Sequence, residues 1–144
     1  MDIGDERWRA VLDRYRVAVR HELSRFRGHE VNAADDAFFA TFDRAAAAVG
    51  CARAIRTAVN ALGLKVRTGL HVGDVEMRGE QVSGLAVYAA ARVMAAAGED
   101  QILVSGDLAD VLPGAVPLHD AGRHALKGVP GEWQLFAVQS PNSA

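Results

Sequence analysis

Between Asp5 and Phe26, apolar Trp8, Leu12, Tyr15, Val19, Leu23 and Phe26 recur every three or four residues among Arg, Asp and Glu. That spacing puts one apolar stripe along a long amphipathic helix, which Arg27 and Gly28 end. Two short runs follow, Glu30 to Ala34 and Ala37 to Phe42, on either side of the adjacent carboxylates Asp35 and Asp36. They predict a β-hairpin with an acidic turn. Asp43 stands where it would N-cap DRAAAAVGCARAIRTAVNALG, whose alanines favour helix and whose close is marked by Asn60 and Gly63. Small residues on most faces of this second helix predict close packing against a sheet.

In LKVRTGLHVGDVEMRGE, Leu64, Val66, Thr68, Leu70 and Val72 alternate with polar or small residues, ahead of a turn at Arg78, Gly79 and Glu80. Period two predicts a strand from Leu64 to Val72. Ser83 to Ala97 reads as a third helix, opened by Ser83 and Gly84 and stopped by Gly98. QILVS is a short buried strand, Asp107 to Leu112 a brief helix ended by Pro113, and Val116 to Val138 two or three strands with a turn at Gly128 to Gly131. The order α, β, β, α, β, α, β, α, β, β predicts an α+β sandwich with helices on one face of a mostly antiparallel sheet. Residues 1–138 form one domain in this reading, and residues 139–144 a disordered tail.

Composition adds bounds. The chain has 144 residues, 50% apolar and 24% charged, enough for one domain with a real core. A formal charge of −2, with both signs mixed along the chain, argues against nucleic-acid and membrane-surface partners. No run approaches the roughly 20 apolar residues of a membrane span, and the charged start MDIGDERWRAVLDRYR has no signal-like apolar region, so a cytoplasmic location is expected. The single cysteine, Cys51, fits a reducing compartment and reads as a small core residue.

Taken singly, few residues point to chemistry. The five histidines, His21, His29, His71, His119 and His124, are scattered without metal-ligand spacing, and structural or exposed roles suffice for them. The glycines make no phosphate loop after a strand, and no serine stands in a G-x-S-x-G elbow. Asp35 and Asp36 alone are an ordinary acidic turn.

Their surroundings say more. Val31 to Phe42, VNAADDAFFATF, resembles the metal-binding hairpin of class III nucleotide cyclases, the adenylyl and guanylyl cyclase homology domains, which runs approximately V-K-x-x-G-D-G-F-x-A-x-F. RTGLHVGDVEMRG resembles that family's R-x-G-x-H-x-G-x-V strand pair. GLAVYAAARVMAAA is similar to its G-x-x-V-N-x-A-A-R-x-x-x-x-A helix, and HALKGVPGEWQLFAV to its closing L-K-G-x-x-x-x-x-x-L-Y-x-V strands. Gly4 to Trp8, GDERW, is similar to the G-D-x-R-W that opens compact bacterial members. The resemblance runs from Gly4 to Val138 in order and spacing, and it implies a ferredoxin-like, cyclase-type α/β sandwich with its first strand missing, Asp2 and Ile3 standing as a remnant of an F-x-D-I segment.

The implied reaction is attack of a ribose 3′-hydroxyl on the α-phosphorus of ATP or GTP, giving a cyclic nucleotide and pyrophosphate at a head-to-tail dimer interface. Two divalent ions, Mg2+ or Mn2+ if the chain is active, would be held between two aspartates to activate the hydroxyl and neutralise the phosphates. By resemblance Asp36 is the hairpin metal ligand, and its partner falls in the missing strand. Asn32 and Gln81 occupy the purine-reading positions in place of the family's lysine and its Asp or Thr. Tyr88 replaces the ribose-orienting asparagine, Arg92 matches the transition-state arginine, and Lys127 matches the lysine on the terminal phosphates. Each lost group costs on the order of 10²- to 10³-fold in rate. The sequence therefore predicts a degenerate cyclase domain, inactive as a homodimer, acting in cyclic-nucleotide-type signalling by dimerising or by binding nucleotide or a regulatory partner, with no cofactor required. Two alternatives stand beside it: a cyclase that is weakly active or needs a heterodimer with another cyclase domain, and a purely structural module whose cleft Tyr88 closes.

Overall fold

The structure, a computed structural model, describes residues 2–34, 37–73, 76–78 and 81–139. It opens on α1 (Asp2–Arg25), whose apolar stripe buries Tyr15, Val19 and Leu23 while Trp8 stays 51% exposed near the helix start. Arg27, at φ 59°, takes the left-handed position that ends the helix, and the Gly28 N–H bonds back to the Leu23 carbonyl at 2.8 Å. The hairpin follows as β1 (His29–Ala34) and β2 (Ala37–Thr41), antiparallel, with Ala34 opposite Ala37. Asp35 and Asp36, and the turn expected to present them, lie outside the described residues.

Helix α2 (Ala45–Ala61) begins one residue later than the sequence pattern predicts. Its N-cap is Arg44, extended and without a side-chain cap, and not Asp43. The chain is still turning out of β2 at Asp43, so its carboxylate stands one residue short of the first free N–H groups. The predicted close holds: Gly63, at φ 81°, donates its N–H to the Asn60 carbonyl at 2.9 Å.

The strand expected over Leu64 to Val72 shrinks to β3 (Thr68–Leu70). The alternation is real, since Leu64 and Val66 pack against α1 and α2 while Lys65 and Arg67 face out. Alternating burial is not a hydrogen-bonded ladder, however, and only Thr68 to Leu70 meet a described partner strand, β6 (Ile102–Ser105), in parallel register. A further hairpin pairs β4 (Glu76–Arg78) with β5 (Gln81–Ser83); Arg78, expected in the turn, ends β4 opposite Gln81, and Gly79 and Glu80 lie outside the described residues. Two strands of three residues are too short to leave a period-two signal.

Gly84 then N-caps α3 (Leu85–Ala96). After β6 comes α4 (Gly106–Val111), capped by the Ser105 hydroxyl, which accepts the Leu108 N–H at 3.3 Å. The chain closes with β7 (Leu118–Ala125) and β8 (Glu132–Val138), paired antiparallel. The main sheet has the order β3-β6-β8-β7, and its only parallel pair among the described residues is β3 with β6.

This is the expected α+β architecture with a different layering. On β6, Ile102 and Val104 pack with Val49 and Ala52 of α2 and Leu108 of α4, whereas Leu103 packs with Val93 of α3 and with Ala97, its C-cap. Helices therefore cover both faces of the sheet, not one. All four residues of β6 are buried, and a strand without an exposed position needs cover on each side. A third cluster joins α1, α2 and the first hairpin. Among the described residues no helix is long and apolar enough to cross a membrane.

Candidate functional site

Helix α3 buries Ala89 and Val93 completely, and this leaves Tyr88 and Arg92, one turn apart, on a common flank. Facing that flank is the turn between β7 and β8. Leu126 and Val129 are both buried in the cluster that holds Val93, and the Val129 N–H bonds the Leu126 carbonyl at 3.0 Å. Between these two anchors Gly128 takes φ 77°, so the exposed Lys127 side chain is turned outward. The Tyr88 hydroxyl donates to the Lys127 carbonyl at 2.9 Å. Its ring lies on the glycine: a Cβ at Gly128 would stand 2.5 Å from the Tyr88 hydroxyl oxygen.

The fold thus joins Tyr88 to the Lys127 turn across 39 residues of sequence. Arg92 carries a buried Nε with no hydrogen-bond partner among the described residues. Lys127 makes no ion pair among them either. Two cations with unused donors beside one helix and turn can hold an anion.

Asn32 lies on β1, opposite Phe39, just past the bulge that follows Glu30. Gln81 opens β5 opposite Arg78. Strand β5 approaches β1 and leads through Gly84 into α3, so the elements carrying Asn32, Gln81, Tyr88 and Arg92 form one connected set. Asp36 lies outside the described residues. Among those described, no three His, Cys, Asp or Glu side chains converge in a way that could hold a metal ion. The described residues therefore do not by themselves supply a divalent-ion site.

Sequence reasoning passed over His71, just beyond β3. It lines a cavity of about 220 Å3 between β2, the end of β3 and α3. Its Nδ1 is 2.7 Å from the Ser105 hydroxyl, and its ring packs on Trp133 at 4.9 Å between centroids. Ser105 also accepts the Leu108 N–H, so its hydroxyl ties His71 to the start of α4. Burial holds the pKa of His71 below its ordinary value, against the opposing pull of Asp107. Its place between Gly69 and Gly73 was the one hint in the sequence; its partners are 34 and 62 residues away, beyond any local pattern.

No family model matches the chain. Uncharacterized proteins of Mycobacterium tuberculosis and Mycobacterium bovis are 36% identical over 105 residues, a match covering 69% of this chain and 36% of theirs. The chain thus spans about a third of the length of these curated relatives. Solved structures resemble nearly all of it. The adenylyl cyclase CyaB from P. aeruginosa has a TM-score of 0.82 at 19% identity, covering 95% of this chain and 84% of that one. An adenylate cyclase of Trypanosoma brucei in its monomeric state gives 0.79 at 17%, covering 94% and 81%. The guanylate cyclase domain of RhGC from Catenaria anguillulae, in complex with GTP, gives 0.77 at 20%, covering 92% and 84%. The fold of this chain is therefore that of adenylyl and guanylyl cyclase domains.

Proposed function

We propose that this chain is a degenerate class III cyclase homology domain that does not turn over nucleotide as a homodimer. In this reading it serves cytoplasmic signalling by dimerising and by binding a nucleoside triphosphate or a regulatory partner. The observation that carries the proposal is the Tyr88 side chain, bonded to the Lys127 carbonyl and lying on Gly128, at the position where the sequence resemblance puts a ribose-orienting asparagine. A ring resting there takes up room meant for sugar and has no amide to orient a hydroxyl. The Arg92 Nε, without a partner among the described residues, and the outward Lys127 favour retained anion binding over a purely structural role.

The experiment is incubation with ATP or GTP and Mn2+, followed by measurement of cyclic nucleotide. No turnover is expected; turnover abolished by Asp36→Ala would refute the proposal and support an active cyclase. Calorimetry with the same nucleotides gives the second arm. Binding that weakens at least about tenfold in Arg92→Ala is expected. Absence of binding in the unaltered chain would leave only the structural module.

A further inference from the structure

The flank of α3 that carries Tyr88 and Arg92 offers charge to a ligand without a cavity to enclose it. Tyr88, Arg92 and Lys127 line neither the cavity of about 500 Å3 under α1 and α2 nor the cavity of about 220 Å3 beside His71. No carboxylate occurs in α3 or in the turn from 126 to 131, so the two cations face no competing charge from their own segments. The Arg92 Nε is buried and has no hydrogen-bond partner among the described residues. A buried donor left unpaired is costly, and an anion that reaches it recovers that cost. Lys127, exposed on the facing turn, adds a flexible point charge.

Tyr88 crowds both cations. Its hydroxyl is tied to the Lys127 carbonyl at 2.9 Å and its ring lies on Gly128, one helical turn, about 6 Å, from Arg92. A bare phosphate chain is slim and meets the two cations past the edge of the ring. A nucleoside is bulky, and the sugar next to the first phosphate either lifts the ring or stays outside. Lifting the ring forfeits the hydroxyl bond and its packing on Gly128, worth about fivefold in affinity. Staying outside leaves the base in solvent, away from any wall that could read it. On both routes the phosphates carry the binding, through charge-assisted hydrogen bonds, and the nucleoside adds nothing to it.

We propose, on the reading that this domain retains anion binding, that Tyr88 sets the specificity of the site: it takes a polyphosphate chain by its free end, does not discriminate among bases, and holds inorganic triphosphate more tightly than any nucleoside triphosphate. The test is calorimetry of the unaltered chain with inorganic triphosphate, ATP, GTP, CTP and UTP, at low salt because exposed charges are screened. The four nucleotides should agree within about twofold, and inorganic triphosphate should bind about fivefold tighter or more. Inorganic triphosphate also carries more negative charge than a nucleotide, so a variant decides the role of the ring. In Tyr88→Ala the nucleotides should gain about fivefold while inorganic triphosphate changes by less than about twofold, which also shows that the variant is folded. A preference among bases above about threefold, nucleotides as tight as inorganic triphosphate in the unaltered chain, or nucleotides that fail to gain in Tyr88→Ala would each overturn the proposal and leave anion binding standing. If no phosphate compound binds, or if Arg92→Ala binds inorganic triphosphate unchanged, retained anion binding fails and the proposal with it.

Discussion

Replacing Gly128 by alanine tests the contact on which the functional reading rests. Two costs are expected. The first is conformational: φ is +77° at this position, and an L-residue held there costs about 1–2 kcal/mol. The second is steric, because the new methyl would stand 2.5 Å from the Tyr88 hydroxyl and 3.2–3.3 Å from two ring carbons. A fully enclosed ring would make this cost large, but Tyr88 is 43% exposed and can swing outward. The steric cost is therefore limited to what the ring forfeits by leaving, its bond to the Lys127 carbonyl and part of its packing, about 1 kcal/mol. Gly128→Ala should thus cost about 2–3 kcal/mol in the native background but only about 1–2 kcal/mol in a Tyr88→Ala background. At roughly 2–4 °C per kcal/mol for a chain of this size, the single variant should melt about 4–12 °C lower. Urea denaturation of the four proteins completes a double-mutant cycle with an expected coupling near 1 kcal/mol. Additivity within about 0.3 kcal/mol would mean that Tyr88 does not rest on the turn, and the argument for a blocked sugar position would fall with it.

Three further outcomes follow from the geometry. Gly69→Ala should cost at least about 3 kcal/mol and yield little folded protein on expression, because the new Cβ would stand 2.5 Å from Met94 Cα and 2.8 Å from the Ala90 carbonyl, backbone that cannot rotate away; near-native melting would refute this view of how β3 meets α3. For His71, burial lowers the folded pKa, so the unfolded chain binds the proton more readily. The stability it contributes should be complete above its ordinary pKa of 6.5 and fall as pH drops below it, and His71→Phe should flatten the pH dependence of the urea midpoint between pH 7.5 and 5.5. An unchanged slope would contradict the assignment. The Cys51 thiol is 1% exposed and pushed up to about 11, chiefly by burial and then by nearby Glu22. At pH 8 a thiol reagent should label it only as fast as the fold opens, and prompt labelling of native protein would show that this core is not closed.

Much of the fold was legible because burial imposes period on a chain. The stripe from Trp8 to Phe26 placed α1 within a few residues, and the alanine-rich run closing on Gly63 placed α2. The apolar run QILVS placed β6, and it was the resemblance to cyclase domains that brought Tyr88, Arg92 and Lys127 forward as candidates. What failed was local in cause. Asp43 had cap chemistry at the wrong step of the backbone, and Leu64 to Arg67 had the alternation of a strand without a partner to bond. His71 could not be singled out, since what distinguishes it from the other histidines is Ser105 and Trp133, brought to it by β6 and β8.

The sequence by itself determined most of the elements and their order, because hydrophobic periodicity and helix propensity act over a few residues at a time; the residues offered for chemistry came from the resemblance to cyclase domains. Only the tertiary structure decided that helices cover both faces of the sheet and that Tyr88 is bonded to the turn bearing Lys127. Each of these depends on which distant segments pack side by side. That choice is made by the burial of the whole chain at once, and local spacing does not record it.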